Sequence, residues 1–154
     1  MVEFVYVENK EEYLAAVALF REYSAWLGID LGFQKFDKEL QHPEIMYGLP
    51  SGGIILCKIE NSYIGCVAIR EQDKDIAELK RMYVKPGSQG LGIGSKLLGA
   101  AILLAKKLGY KKIRLDTLSF MKPAIELYKK NGFVEISAYY YNPQKTAVFF
   151  ERDI

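Results

Sequence analysis

The sequence predicts an α/β or α+β domain built on a mixed, mostly antiparallel sheet, and three observations carry this prediction. Short segments rich in β-branched and aromatic residues indicate about seven strands. Longer segments with apolar residues at three- and four-residue spacing indicate about four helices. The elements run in the order strand, two helices, three strands, then helix, strand, helix and two strands, which places one strand-helix-strand crossover between residues 76 and 117.

The N-terminal part predicts a strand followed by a long helix. The opening segment EFVYVE alternates as a short strand does. Apolar residues then recur at helical spacing over residues 10–27, and Gly28 is placed to end the helix. Further on, DKELQH predicts a short helix between two loops, IDLGFQKF before it and PEIMYGLPSGG after it.

Three adjacent strands follow, in the segments GIILCKIE, YIGCVAIRE and IAELKRMYV, and we expect an antiparallel meander. If ENSY forms a two-residue hairpin turn, positions whose numbers sum to 123 face each other, as Cys57 and Cys66 do. We therefore expect two neighbouring thiols in the core, reduced in a reducing compartment, with a redox-sensitive disulfide as the alternative.

The C-terminal part predicts two helices and three strands. Helical spacing runs from Leu91 to Leu108, and Gly109 ends that helix. KKIRLDTL reads as a buried strand, and KPAIELYKKNGF as a helix with Pro123 in its first turn and Gly132 at its end. Two strands, FVEISAYYY and TAVFFERD, close the chain, and their aromatic edge offers a possible homodimer contact.

Composition limits the classes of function. The 154 residues, half of them hydrophobic, predict one domain spanning 1–154. A net charge of +2 with interspersed signs argues against a nucleic-acid or membrane partner. No apolar run is long enough to span a bilayer and the acidic N-terminal segment differs from a secretory signal, so we expect a cytoplasmic location. Two cysteines and one histidine predict no metal site.

The segment GSQGLGIGSKL stands directly before a helix and suggests a cradle for an anion. Its glycines do not have the G-x-G-x-x-G spacing of dinucleotide loops. They also do not fit the triphosphate loop, because Gln89 takes the place of its first glycine and Ser95 precedes Lys96 in reversed order. What fits is Q-x-x-G-x-G, formed by Gln89, Gly92 and Gly94 at the helix start.

This pattern resembles the acetyl-CoA loop, [RQ]-x-x-G-x-[GA], of the GNAT superfamily of N-acetyltransferases. The preceding strand AELKRMYVKP, the long helix after the loop, LDTL and AIELYKKNGF resemble that family's segments in the same order, so the resemblance covers residues 54–135. It implies a GNAT-like sheet with a splayed strand pair. It also implies an N-acetyltransferase that uses acetyl-CoA as cosubstrate and no metal. A non-catalytic domain that binds acetyl-CoA as a sensor or interaction module is the alternative.

The loop chemistry can be stated in physical terms. Glycines allow close approach of the backbone to a pyrophosphate, and the free N–H groups of a helix N-terminus favour negative charge. The resemblance implies the following cofactor-binding residues: Met82, Tyr83, Val84, Gln89, Gly90, Leu91, Gly92, Ile93, Gly94 and Ser95. The nearby Lys85, Lys96 and Lys129 are either phosphate contacts or ordinary surface charges.

The strand before the loop predicts a β-bulge. Leu79 and Val84 both have the character of core residues, yet they are five positions apart, which would place them on opposite faces of a regular strand. One extra residue between them restores the alternation. The resemblance implies that such a bulge splays this strand from the next one, and that pantetheine lies in the gap against the main chain of Met82 and Val84.

Acetylation of an amine needs a base and a proton for the departing thiolate. Tyr128 matches the residue that the family frequently uses as general acid, and Glu78 matches its strand glutamate base; each also has a purely structural interpretation. Asp116 is a second acidic candidate with a structural role at the strand end as its main interpretation, and His42 is expected to be a surface residue. Many members carry an asparagine seven residues before the tyrosine, where this chain has Met121.

The sequence says least about the acceptor, the molecule that would receive the acetyl group. The resemblance places its pocket in WLGIDLGFQKF and SAYYYNP, with Arg70 or Arg81 available to a carboxylate. The aromatic candidates are Trp26, Phe33, Phe36, Tyr139, Tyr140 and Tyr141, each of which also reads as a core or surface aromatic. No acidic run indicates a histone or polyamine substrate, so we expect the primary amine of a small molecule, such as an amino acid or its derivative.

Overall fold

The computed structural model describes residues 1–32 and 35–154 and has a seven-stranded sheet in the order β1-β2-β3-β4-β5-β7-β6. Every neighbouring pair is antiparallel except β4 and β5, which are parallel. The strands are β1 Val2–Tyr6, β2 Gly53–Ile59, β3 Ser62–Asp73, β4 Ile76–Val84, β5 Lys112–Leu118, β6 Val134–Ile136 and β7 Ala147–Asp153. The helices are α1 Lys10–Leu27, α2 Phe36–Gln41, α3 Pro43–Tyr47, α4 Ile93–Lys107 and α5 Lys122–Lys130.

The predicted class, meander and crossover are confirmed, and local signals account for both ends of α1. A capping box between Asn9 and Glu12 starts α1, and Gly28 ends it in the left-handed conformation with φ 69°. Within the parts of the chain that the structure describes, no helix combines the length and the apolar character needed to cross a membrane.

Two element predictions were wrong. The expected loop PEIMYGLPSGG begins with helix α3, because Pro43 fits the first turn of a helix and Tyr47 is fully buried against the sheet. The expected strand FVEISAYYY is limited to the three residues of β6. Residues 137–146 leave the sheet, and Tyr139 and Tyr140 donate hydrogen bonds to carboxylates of β4 and β5 instead.

The sheet has one apolar core on each face. The first core lies between strands β2, β3, β4 and β5 and helices α4 and α5. Its buried residues include Leu79, Leu97, Leu115 and Tyr128. The second core lies against α1 and α3, with Phe20 and Tyr47 among its buried residues. The two faces therefore have separate roles, since α4 follows the glycine loop on one face while α1 to α3 cover the other.

The predicted pairing of Cys57 with Cys66 was wrong. The hairpin turn lies one residue earlier than predicted, because Ile59 pairs with Ser62 and not Glu60 with Tyr63. The register then shifts between Cys57 and Lys58, so Cys57 faces Gly65 while Cys66 faces Leu56. This irregularity adds one residue, Ile64, to the β3 side of the hairpin. The two thiols then belong to different cores on opposite faces of the sheet, a geometry that does not allow a disulfide between them.

The predicted β-bulge in β4 is confirmed. Cys66 pairs with Tyr83 and Ala68 pairs with Lys80, so β4 has one residue more than β3 in this stretch. Arg81 lies in the bulge with a positive φ of 57°. The extra residue allows Leu79 and Val84 to contact the same core.

The bulge coincides with a separation of β4 from β5. The two strands pair only from Ile76 to Glu78 on β4 and from Lys112 to Arg114 on β5. Beyond this short ladder the described strands do not pair, and an open space lies between them. The predicted splayed strand pair is therefore present.

Candidate active site

The space between the splayed strands forms a hollow, here called the splay hollow. Residues 79–82 of β4 and 116–118 of β5 form its two sides. The end of α1 and the segment after it contribute Tyr23, Leu27, Ile29 and Leu31, and α5 contributes Tyr128. Met121, at the position where the family often has asparagine, also lines this hollow and presents a thioether in place of an amide.

Tyr128 reaches the splay hollow from α5 and is held by aromatic packing. Its ring lies 5.8 Å from the ring of Phe133 and 6.4 Å from that of Phe150, between centroids. Among the described residues its hydroxyl has no hydrogen-bond partner. Burial raises the pKa of Tyr128 well above its usual value of 10, and Tyr23 and Asp116 add to the rise. The phenol therefore stays protonated over the whole neutral range and can act as a proton donor.

Glu78 lies in β4 but faces a different hollow. The Glu78 hollow, as we call it, lies on the α1–α3 side of the sheet and is lined by Lys35, Met46, Arg70, Gln72, Glu78, Lys80, Tyr139 and Tyr140. Glu78 Oε2 accepts a hydrogen bond of 2.6 Å from the Tyr139 hydroxyl. The structure therefore does not place Glu78 in the hollow that contains Tyr128.

Lys80 forms a wall shared by the two hollows. Its Nζ lies 3.9 Å from Glu78 Oε1, and its side chain is buried. Burial lowers the pKa of Lys80, and the positive charge of Arg81 lowers it further. The sequence prediction missed Lys80, although its position two residues after Glu78 places the two side chains on one strand face.

Asp116 is the carboxylate that lines the splay hollow together with Tyr128. It accepts a hydrogen bond from the Tyr140 hydroxyl and another of 2.9 Å from Asn142 Nδ2. These two donors come from the segment between β6 and β7, which covers this end of the sheet. Asn142 was not predicted as a site residue, because its contact with β5 bridges 26 positions of sequence.

The glycine loop has the geometry of an anion cradle. Gly90 and Gly92 have positive φ values of 87° and 74°, and a Cβ atom added at either position would meet no atom within 4 Å. Gly92 begins α4 without a side-chain cap, and Lys96 N donates to Gly92 O at 3.2 Å. The N–H groups at the start of α4 therefore lack intrahelical acceptors and are available to a phosphate. These residues fit the pyrophosphate of CoA.

The other predicted loop residues take distinct places. Gln89 Nε2 donates to Val84 O at 3.2 Å and so ties the loop to the end of β4. Leu91 is exposed, whereas Ile93 is buried in the core. Gly94 faces Leu127 at ordinary contact distance. Ser95 lies in the first turn of α4.

The side chains of Met82 and Tyr83 pack against the two cores of the sheet. Met82 packs against the first core, and Tyr83 is buried on the opposite face, with ring centroids 5.9 Å from both Tyr23 and Trp26. Lys85 lies near the loop and its Nζ is 3.4 Å from Glu22 Oε1. Contacts of these strand residues with a cofactor would therefore come mainly from the main chain.

The predicted acceptor aromatics do not form one cluster. Tyr139 and Tyr140 line the Glu78 hollow, whereas Tyr141 is exposed and Trp26 is half-exposed beside Tyr83. Phe33 lies outside the described residues. Phe36 stacks under the Arg81 guanidinium at 5.1 Å.

Arg81 is not placed to receive a substrate carboxylate. Its Nε and Nη2 atoms each donate to Glu39 at 2.8 Å, and both side chains are buried. His42 is exposed next to Glu44, at 3.4 Å, as the sequence predicted. Among the described residues, no group of three or more histidine, cysteine or acidic side chains is placed to hold a metal ion.

A splayed parallel pair beside a glycine cradle defines an acyl-CoA-type transferase fold, and comparison with known proteins supports this class. A sequence model of the acetyltransferase (GNAT) family matches residues 16–133. The chain belongs to the GNAT family and is an acyltransferase enzyme that transfers acetyl groups. An uncharacterized N-acetyltransferase of Schizosaccharomyces pombe is 38% identical over 138 residues, covering 88% of this chain and 85% of that protein.

Solved structures show the same fold. A GNAT-family acetyltransferase from Staphylococcus aureus has a TM-score of 0.82 at 22% identity, covering 99% of each chain. The PaiA N-acetyltransferase from Thermoplasma acidophilum, in complex with coenzyme A, has a TM-score of 0.75 at 20% identity, covering 100% of this chain and 99% of that one. Neighbours of this fold therefore bind CoA.

Proposed function

We propose that the protein transfers an acetyl group from acetyl-CoA to the primary amine of a small molecule by direct attack, with Tyr128 as general acid. The observation that carries this proposal is the position of Tyr128 in the splay hollow, beyond the last paired residues of β4 and β5. We further propose that residues 1–154 form a single acetyltransferase domain.

The cofactor would be held by the backbone. The N–H groups of Gly90 to Ser95 suit the pyrophosphate, since two of these residues adopt positive φ and the helix start is uncapped. The β4 edge that faces β5 has no strand partner after Glu78. The main chain of Met82 to Val84 is thus available to the pantetheine amides, as an added strand would use it.

Tyr128 has the chemistry that the departing thiolate needs. A thiol has a pKa near ~8.5, so a phenol whose pKa is raised above 10 gives up its proton at a cost of about 1.4 kcal/mol per pKa unit of difference. Because burial keeps the phenol protonated at neutral pH, the proton is present when the thiolate forms. A tyrosine held protonated in the hollow therefore suits the role of acid.

Two carboxylates compete for the role of base. Glu78 is the family-like candidate, but its Oε2 is engaged by Tyr139 and it faces the neighbouring hollow. Asp116 lines the same hollow as Tyr128. We keep Glu78 as the proposed base, acting through water, and identify Asp116 as the carboxylate better placed for direct contact with an amine in the splay hollow.

The test is thiol release from acetyl-CoA across a panel of small amines, for wild type and Tyr128→Phe. We expect the variant to bind acetyl-CoA normally and to lose about 10²–10⁴-fold in kcat, as expected for loss of a general acid. An unaffected variant would remove Tyr128 from the mechanism. Binding of acetyl-CoA without turnover of any amine would favour a sensor over an acetyltransferase.

The same assay separates the two carboxylates. Glu78→Gln and Asp116→Asn keep shape and remove the negative charge. The base is the residue whose substitution removes the decline of kcat/KM at low pH. A pH profile that neither substitution changes would exclude both residues as the base.

A further inference from the structure

The Glu78 hollow has an excess of positive charge. Three cationic side chains, Lys35, Arg70 and Lys80, line it together with one carboxylate, Glu78. That carboxylate is already engaged, because Tyr139 donates to its Oε2 at 2.6 Å. An anion entering this hollow would therefore meet a net positive surface.

Arg70 is the cation best placed to bind such an anion. It lies directly opposite Glu78 in the β3-β4 ladder. Its Nε donates to Glu71 O at 3.1 Å, but its Nη1 lies 3.7 Å from Glu78 Oε1, beyond hydrogen-bond distance. In residues 1–32 and 35–154, neither Nη atom of Arg70 has a hydrogen-bond acceptor. The side chain is 33% exposed, so it is open to a ligand.

Arg81, the other arginine that the sequence offered to a substrate carboxylate, differs from Arg70 in already having a partner. Arg81 already holds Glu39 through two hydrogen bonds of 2.8 Å in a buried site. Guanidinium groups prefer such two-point pairing with a carboxylate. Arg70 has the same chemistry without that partner.

We propose that Arg70 binds a carboxylate of the acceptor, so that the substrate class is amino carboxylates whose amine reaches the splay hollow across the shared wall formed by Lys80. This inference rests on the proposed function, because it assigns the acceptor of the same reaction. The Glu78 hollow then sets specificity, while the splay hollow contains the reacting groups.

The test compares amines that differ only in charge. Glycine, β-alanine, 4-aminobutanoate and 6-aminohexanoate, in which the distance from carboxylate to amine increases, are each paired with their carboxamides, and kcat/KM is measured by thiol release. For at least one pair we expect wild type to favour the carboxylate by about tenfold or more, as a charged hydrogen-bonded pair provides. In Arg70→Gln the ratio of the two kcat/KM values should fall to about one, because any effect of the substitution on Glu78 acts on both members of a pair and cancels in the ratio. Arg70→Lys should recover part of the preference.

The control is Arg21→Gln, which removes an exposed arginine of α1 outside this hollow and should leave the preference unchanged. Equilibrium dialysis with each amino carboxylate alone gives a readout that does not depend on turnover, with binding expected for wild type and lost in Arg70→Gln. Turnover of amines with no carboxylate preference in wild type would overturn the Arg70 assignment while the proposed function stands. No turnover of any amine, together with Arg70-dependent binding, would overturn the proposed function instead. Absence of both would overturn both.

Discussion

Gly92→Val is the substitution that most clearly separates folding from cofactor binding. Gly92 has φ 74° and ψ 11°, and a Cβ atom placed there meets nothing within 4 Å. The cost to the fold is therefore conformational, about 1–2 kcal/mol for a non-glycine residue in the left-handed region, and somewhat more for a β-branched one. For a chain of this size each kcal/mol lowers the melting temperature by about 2–4 °C. The variant should thus fold and melt several degrees lower.

Its effect on binding should be much larger. Relief of the strain requires a negative φ at residue 92, which turns the N–H groups at the start of α4 away from their present directions. Each hydrogen bond to a charged phosphate contributes about 1.5–3 kcal/mol, so loss of two weakens binding by roughly hundredfold or more. We expect calorimetric titration with acetyl-CoA to show this loss.

Gly87→Val is the matched control. Gly87 lies in the same loop, does not adopt a positive φ, and likewise has no atom within 4 Å of an added Cβ. Valine at that position should leave the affinity for acetyl-CoA within a few-fold of wild type. Normal affinity in a folded Gly92→Val protein would refute the backbone cradle.

Two further predictions concern stability. Glu39→Gln leaves the Arg81 guanidinium buried without its charge partner and should lower the free energy of unfolding in urea by about 3–5 kcal/mol. The control Asp37→Asn, at an exposed position of the same helix, should lower it little. A small loss of unfolding free energy in Glu39→Gln would show that the pair is not needed. For Glu151, burial acts to raise the pKa, but hydrogen bonds led by that from Arg114 outweigh it and lower the pKa. The stabilisation by ionised Glu151 is therefore present above the unfolded-state pKa of about 4.3 and is lost as pH falls through the lower folded-state pKa. At neutral pH wild type should exceed Glu151→Gln in free energy of unfolding by about 1 kcal/mol, and this difference should disappear in acid. A difference that persists at pH 3 would contradict this.

The two strand irregularities differ in whether the amino-acid sequence could predict them. The bulge in β4 was predictable because apolar and charged residues alternate from Ala77 to Lys80, and Leu79 and Val84 then break this alternation. The irregularity in the β2-β3 hairpin was not, because Ile64 and residues 66–69 of β3 are buried on both faces. A strand buried on both sides carries no alternation from which a shifted register can be inferred.

The parts of the candidate site also differ in whether the sequence could predict them. The glycine cradle follows from local spacing before α4, and Tyr128 follows from the resemblance of the segment AIELYKKNGF to the family. The long-range contacts could not be predicted in this way, because Tyr139 reaches Glu78 across 61 positions and Arg81 reaches Glu39 across 42. Such pairings depend on which elements the fold brings together. The separation of Glu78 from Tyr128 into neighbouring hollows is of this kind.

A crystal structure of the protein with acetyl-CoA bound tests the central claim most directly. We predict the pyrophosphate against the N–H groups of Gly90 to Ser95, the pantetheine between β4 and β5 beyond Glu78, and the thioester sulfur within hydrogen-bond reach of the Tyr128 hydroxyl. A cofactor bound outside the splayed pair, or a sulfur remote from Tyr128, would contradict it.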